Sequence, residues 1–322
     1  MDPLIAPLAL AVERRFGYPK SLLDTIGHPV IWFGAGIDWL ETRLNKVSRS
    51  PAQRRLAGIV ALVLLLLAVL VVTVGIRTIL SWLPFGFLLE MLLATVFLAQ
   101  KELGRAVEAV SEALRSSLAA GREAVSHVVG RDPEALDEAG IARAAVETLA
   151  ESTSDGVVAP WFFLVLFGLP GIALYKAVNT ADSMIGHRNE RFADYGWAAA
   201  RLDDVLNWVP ARLSALLVTL ACFFTAGASP STAWATARRD ASKHDSPNAG
   251  WPEACFAGAL NFRLGGPRSY EGEVVDLPSF GSGKVALTAS DIMLALLLYR
   301  RTLDVLLAVS AVLALMVLVG WR

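Results

Sequence analysis

Two cysteines, four histidines and only 18% charged side chains in 322 residues are the scarcities that first narrow the reading. Cys222 and Cys255 both stand in apolar surroundings, which excludes a disulfide scaffold and reads them as buried thiols. Four histidines without metal-ligand spacing argue against a zinc site. Charge is balanced as well as scarce, 29 Lys+Arg against 30 Asp+Glu, so a net charge of −1 removes the broad basic footprint of a nucleic-acid binder. Standard phosphate loops are missing too: no Gly-x-x-x-x-Gly-Lys-Ser/Thr occurs, and no Gly-x-Gly-x-x-Gly follows a strand pattern. The start, Met1-Asp2, has no basic stretch before the apolar run 3–12, which reads as an anchoring helix or a lid rather than a cleaved signal.

What is present is apolar. A soluble chain carries roughly 25% charged residues; here 55% of residues are hydrophobic and the mean hydropathy is +0.51. Residues 56–76 contain no charge, and at 1.5 Å per residue they reach about 31 Å, the thickness of a hydrocarbon core. Residues 78–100 are interrupted only by Glu90 and join the first run through Arg77, so the two read as a hairpin crossing twice. Arg43, Lys46, Arg49, Arg54 and Arg55 precede it and place both its ends in the cytoplasm. Residues 101–155 hold 17 charges, with Leu103, Val107, Val110, Leu114 and Leu118 at helical spacing, which fits half-solvated helices.

Two central runs are too broken to be simple spans. Residues 156–175 carry Phe167-Gly-Leu-Pro-Gly171 at their middle, and residues 213–237 have about 13 apolar residues before Thr225-Ala-Gly-Ala-Ser-Pro230. Irregular backbone at membrane depth is tolerated only inside protein. The fold expected is therefore all-α: a polytopic integral membrane protein with cytoplasmic helical and loop segments and two re-entrant central hairpins. Six segments follow. They are 1–55, an N-terminal helix and basic cytoplasmic segment; 56–100, a transmembrane hairpin; 101–155, cytoplasmic amphipathic helices; 156–237, central membrane-associated segments with the acidic motifs; 238–301, a loop-rich cytoplasmic segment with a helix over 287–300; and 302–322, a C-terminal transmembrane helix.

Three polar clusters are candidates for chemistry. Arg143, Glu147 and Glu151 lie at i, i+4 and i+8 and lead into Ser154 and Asp155; a solvated face ending in a helix cap is the plainer alternative. In 176–187 a helix puts Asn179, Asp182, Ser183 and Gly186 on one face beside an apolar run, where polar groups are functional by default; a polar stripe between packed helices is the plainer alternative. In 201–212 the stripe Leu202, Val205, Leu206 and Val209 leaves Asp203, Asp204 and Asn207 opposite, either a water-facing side or a Mg²⁺ clamp with Arg201 and Arg212 on phosphate oxygens. The loop Ser246-Pro-Asn-Ala-Gly-Trp-Pro-Glu253 offers Asn248, Trp251 and Glu253 to a polar ligand, and backbone N–H groups of Gly265 and Gly266 are placed to face an anion. Both are equally ordinary turn chemistry.

These strings resemble one family. Val129-Gly-Arg-Asp132, Ala142-Arg143 to Glu147, Glu151-Ser-Thr-Ser-Asp-Gly-Val-Val-Ala-Pro160, Asn179-Thr-Ala-Asp-Ser-Met184, Asn189-Glu-Arg191, Gly196-Trp-Ala-Ala-Ala-Arg-Leu-Asp-Asp204, Pro210-Ala-Arg-Leu213 and Ser246-Pro-Asn-Ala-Gly250 are similar to the CobD/CbiB family of cobalamin-biosynthesis proteins. The likeness runs from about His28 to Tyr270. Tyr18, Ser152 and His187 depart from the residues common there. The resemblance implies a bacterial inner-membrane, multi-pass enzyme with a cytoplasm-facing site. It would join adenosylcobyric acid to an amino-alcohol phosphate, with ATP and Mg²⁺ as cofactors, the corrinoid as substrate, and other cobalamin-biosynthesis enzymes as partners. Under it Asp182, Asp203 and Asp204 hold the metal nucleotide, Arg191 and Arg201 take phosphate, and Glu151 or Asp155 is the base, with Asp182 also at the catalytic centre. Asn179, Asn189 and Asn248 orient substrates, Trp251 and Tyr270 pack on the corrinoid, and Arg143, Glu147, Ser154, Ser183, Glu190, Asn207, Arg212 and Glu253 complete the binding set. A transporter and a non-catalytic membrane sensor are the competing readings; the absence of an internal repeat weighs against the first, and the intact acidic strings against the second.

Overall fold

A computed structural model of the chain describes residues 2–129, 133–270, 273–275 and 277–320, without the side chains at 20, 268–270 and 273–275. Fourteen helices follow in order among them: α1 Ile5–Phe16, α2 Lys20–Ile26, α3 Pro29–Leu44, α4 Pro51–Ser81, α5 Gly86–Thr95, α6 Gln100–Ser116, α7 Leu118–Ser126, α8 Glu138–Thr153, α9 Ala159–Ile185, α10 Trp197–Leu206, α11 Trp208–Ala221, α12 Pro230–Asp240, α13 Gly250–Leu260 and α14 Ala289–Gly320. Four short strands, β1 Leu264–Gly265, β2 Arg268–Tyr270, β3 Glu273–Val275 and β4 Ser279–Phe280, form two antiparallel pairs, β1 with β4 and β2 with β3. The chain is an all-α polytopic membrane protein. Among the described residues, α4, the run Glu138–Ile185 and α14 are long and apolar enough to cross a membrane.

The chain divides into two compact units. The first comprises residues 1–99, 159–207 and 310–322. Here α1 buries Ile5, Ala9 and Leu10 against α5 and α9, so the N-terminal apolar run is part of a packed core. Helix α4 starts sharply because Ser50 accepts from Gln53 N–H while the Gln53 side chain accepts from Ser50 N–H, with Pro51 in the first turn. It presents Leu64, Leu67, Val71 and Val72 outward, an apolar surface suited to lipid. Helix α5 has only ten residues, about 15 Å of rise, half of what a second crossing over 78–100 requires.

Helix α9 is broken at Gly168, whose φ of 70° and ψ of −153° are not helical, with Pro170 just beyond. The rings of Phe163 and Tyr175 stack with centroids 5.1 Å apart, although a straight helix would separate them by about 18 Å. The chain therefore doubles back on itself. Gly171 makes the return possible, since a Cβ there would lie 2.5 Å from the Phe163 carbonyl oxygen. The N–H of Leu169, freed by the break, donates 3.4 Å to buried Glu90, whose carboxylate also faces Arg77 at 3.5 Å. The charge that interrupts the 78–100 run thus terminates the second half of the broken helix.

The second unit comprises residues 100–158 and 208–309. Helices α6 and α7 pack together and on α8, and α6 buries Val107, Val110 and Leu114 while its polar face stays outside; Leu118, expected on the same stripe, instead opens α7 and is exposed. Helices α11, α12 and α13 pack on one another. Asp240 closes α12: its carboxylate accepts from Arg239 at 2.6 Å, Lys243 at 2.7 Å and Gly281 N–H at 2.9 Å. These contacts, Arg239 first, hold its carboxyl well below the usual carboxylate range. Helix α14 runs without a break from Ala289 to Gly320 and so joins the two helices that the sequence separated, because no Gly or Pro intervenes; Arg300 on it is paired with Glu108 at 2.9 Å.

Candidate functional site

The candidate residues fall into one cluster in each unit. In the first, α10 lies the opposite way round from its amphipathic reading. Asp203 and Asn207 are buried, at 9% and 1% exposure, whereas Val205 is 69% exposed. The inference from the apolar stripe assumes water outside; beside a bilayer the outward face is the apolar one, and the polar face turns inward to find partners.

Those partners come from α9. Tyr175 donates its hydroxyl to Asn207 Oδ1 at 2.8 Å, Asn207 Nδ2 donates to Asp203 Oδ2 at 2.9 Å, and Asn179 Nδ2 donates to Asp203 Oδ1 at 3.5 Å. Lys176 Nζ reaches Asn179 Oδ1 at 3.1 Å, so the chain of bonds ends in a cation. Among the charges acting on Asp203, that of Asp182 is the strongest. Asp203 itself is anchored on two amides, while Asp204 faces Arg201 at 3.7 Å. No group of three His, Cys, Asp or Glu side chains able to hold a metal occurs among the described residues. Two carboxylates still suit Mg²⁺, which takes one or two from protein and the rest from phosphate and water.

The neighbouring turn has a structural role. Asn189 accepts from Phe192 N–H at 2.9 Å, the carbonyl of Glu190 accepts from Arg54 at 3.1 Å, and Ser183, exposed, donates to the Asn179 carbonyl at 2.9 Å. Arg191 forms a two-pronged pair with Glu41, 3.0 Å from Nε and 2.7 Å from a terminal nitrogen. That pairing, Arg191 above all, holds the Glu41 carboxyl below its ordinary range. Arg191, expected on phosphate, is paired with the buried Glu41 while its own side chain stays exposed, and Arg201 stands exposed beside Asp204.

In the second unit, α8 ends in a π-helical turn, Ser154–Val158, a feature common at functional sites. Ser154 is buried with its hydroxyl unpartnered among the described residues; Asp155 is half-buried, and Glu151 is exposed. Glu147 is buried and accepts from Gly265 N–H at 2.7 Å. The anion expected at the Gly265 turn is therefore the protein's own carboxylate. Glu253, 1% exposed, has one oxygen 3.4 Å from His244 Nε2 and the other without a partner among the described residues. Burial, reinforced by the like charges of Glu147 and Glu151, pushes its carboxyl up to about 7. His244 Nδ1 accepts from Ser246 N–H at 2.8 Å, which puts the imidazole proton on Nε2, facing Glu253.

Arg212 lies over the rings of Trp208 and Trp251, 4.3 and 4.9 Å from their centroids, and donates to Asn248 Oδ1 at 3.3 Å. The Asn248 and Trp251 of the loop motif thus meet an arginine 36 residues earlier. Tyr270 lies in β2 with its side chain outside the described residues, as do residues 130–132 of the Val129 string. Tyr175, Lys176, Glu41 and His244 were missed by the sequence reading. The signal for Tyr175 was its place one turn before Asn179 on the same helical face.

A family model described as CobD/Cbib protein matches residues 6–299. Relatives called cobalamin biosynthesis protein CobD include one from Brucella anthropi, 47% identical over 310 residues and 94% of each chain. One from Sinorhizobium fredii is 44% identical over 316 residues, 97% of each chain, and one from Rhodobacter capsulatus is 44% identical over 302 residues, 92% of each. No solved structure matches.

Proposed function

The chain belongs to the CobD/CbiB family, and from that premise we propose that this member of the cobalamin-biosynthesis proteins is an ATP-dependent ligase. It forms the amide between the free propionate carboxyl of adenosylcobyric acid and an amino-alcohol phosphate, at the cytoplasmic side of the inner membrane. The observation that carries the reading is the buried Asp203 on its Tyr175, Asn179 and Asn207 scaffold, with Asp182 the strongest charge acting on it. Paired carboxylates beside apolar helices are expensive to keep and are retained for chemistry.

A carboxylate does not react with an ammonium near neutral pH. In the proposed reaction a substrate carboxylate oxygen attacks the terminal phosphorus of ATP, ADP leaves, and an acyl phosphate results. The amine then attacks the acyl carbon, inorganic phosphate departs with the C–O bond pair, and a carboxylate takes the ammonium proton. Asp182 and Asp203 suit the nucleotide's metal, which when bound would neutralise phosphate charge. Anchoring by Asn207 and Asn179 fixes the Asp203 oxygens before the nucleotide arrives, so little reorganisation is needed. Glu151, at the end of α8, and Asp155, within the π-helical turn, are the candidates for the proton acceptor.

The test is an assay of purified protein in lipid with adenosylcobyric acid, aminopropanol phosphate, ATP and Mg²⁺, read as product mass. The expected result is the amide, dependent on ATP. Corrinoid binding without any amide overturns the ligase reading; uptake of unaltered substrate into proteoliposomes would put a transporter in its place.

A further inference from the structure

A cavity of about 450 Å³ opens in the second unit, lined by residues of α8, β1 and β4 and the turns beside the strands. That volume lies within the range of small-molecule sites. One wall is backbone secured from two directions, Gly265 N–H to the Glu147 carboxylate at 2.7 Å and Gly266 N–H to the Pro278 carbonyl at 3.1 Å. Gly265 has a φ of 72°, and a Cβ there would meet the Pro278 oxygen at 2.5 Å, so the turn requires glycine and is held in one shape.

Two arginines, Arg143 and Arg263, line this cavity together with Ser279. Arg263 Nε donates to Ser279 Oγ at 3.3 Å, and its terminal nitrogens have no partner among the described residues. Arg143 forms neither an ion pair nor a side-chain hydrogen bond among the described residues; Glu147, one turn further along α8, is engaged by Gly265. Two arginines in a preformed concavity make a receptor for an anion with several oxygens, phosphate above all, because the planar fork matches those oxygens in pairs. A corrin macrocycle with its side chains exceeds the volume, whereas a phosphorylated small molecule fits it.

We propose that this cavity binds the phosphate group of the reaction's phosphorylated small substrate through Arg143 and Arg263. The assignment rests on the ligase reading, which requires two such molecules, an amino-alcohol phosphate and ATP. Either can supply the same phosphate chemistry.

The experiment is equilibrium binding to the full chain in nanodiscs, with inorganic phosphate, aminopropanol phosphate and ATP titrated separately. Wild type is compared with Arg143→Gln, Arg263→Gln, the double variant and Arg143→Lys. Phosphate and at least one substrate should bind wild type and weaken about 10- to 100-fold in each Gln variant, with partial retention in Arg143→Lys. Loss confined to aminopropanol phosphate identifies the ester as occupant, and loss confined to ATP identifies the nucleotide. Unchanged affinities in the double variant, or no binding of any of the three to wild type, overturn the proposal. Should the Gln variants fail to fold, phosphate must protect Arg143 and Arg263 of wild type from an arginine-specific dicarbonyl, mapped by mass; no protection overturns it equally. The amide assay of wild type separates the two readings. Product with unaffected variants removes the cavity assignment alone, and binding that depends on the arginines without product removes the ligase reading alone.

Discussion

The side-chain amide of Asn207 donates 2.9 Å to the carboxylate of Asp203, one turn earlier on the same helix, and both are buried. With Tyr175 bonded to the other end of Asn207, this pair converts the polar side of α10 into the interior of its unit. The functional reading rests on that orientation.

Asp203→Asn preserves the shape but removes the charge, so it should reduce amide formation by about 100-fold or more while the protein stays folded. Tyr175→Phe is the contrasting change. It leaves Asn207 Oδ1 without its donor at a buried position and should destabilise by about 1 to 3 kcal/mol, with a smaller effect on turnover. Product assay and thermal unfolding of the two variants in the same lipid check both; full activity in Asp203→Asn would remove the carboxylate from the mechanism.

Glu41 has its carboxyl lowered mainly by Arg191, so its stabilising contribution is present above the unfolded value of 4.5 and is lost as pH falls through the folded one. Wild type should therefore lose thermal stability on acidification below about pH 4.5, and Arg191→Ala should show a lower midpoint already at neutral pH. If Arg191 instead served phosphate, Arg191→Ala would keep its midpoint and raise the KM for ATP.

Glu253 titrates in the opposite sense. Its carboxyl is raised to about 7, chiefly by burial, so the stability it confers is complete below 4.5 and is lost as pH rises through about 7. Glu253→Gln should remove this component, leaving a flatter dependence of the unfolding midpoint between pH 5 and pH 8. A slope equal to that of wild type would show that the carboxyl is already ionised in the native protein.

The reversal at Gly168 should be intolerant of bulk. Gly171→Val brings side-chain atoms against the Phe163 carbonyl and should destabilise by about 1 to 3 kcal/mol, seen as lower yield and a lower midpoint. Glu90→Ala strands the Leu169 N–H in an apolar setting and should have an effect of about the same size. Normal midpoints in both would mean that the helix does not double back in the membrane.

Much was legible in the sequence because its signals are local or covalent in origin. The apolar run beginning at Leu56 needs no partner to declare a membrane helix, Ser50, Pro51 and Gln53 mark the start of α4, and the uninterrupted strings around Asp182 and Asp203 carry the family. Helix formation follows from such features because its hydrogen bonds close within a few residues. Which side of α10 is buried, the pairing of Arg191 with Glu41, the use of Glu90 to cap a broken helix 79 residues away, and the approach of Glu147 to Gly265 across 118 residues were decided only by the tertiary structure. A polar stripe announces that it needs partners but not whether they are water or protein. With lipid outside, burial of polar groups and exposure of apolar ones exchange places, and only the assembled helices reveal where each charge finds its bond.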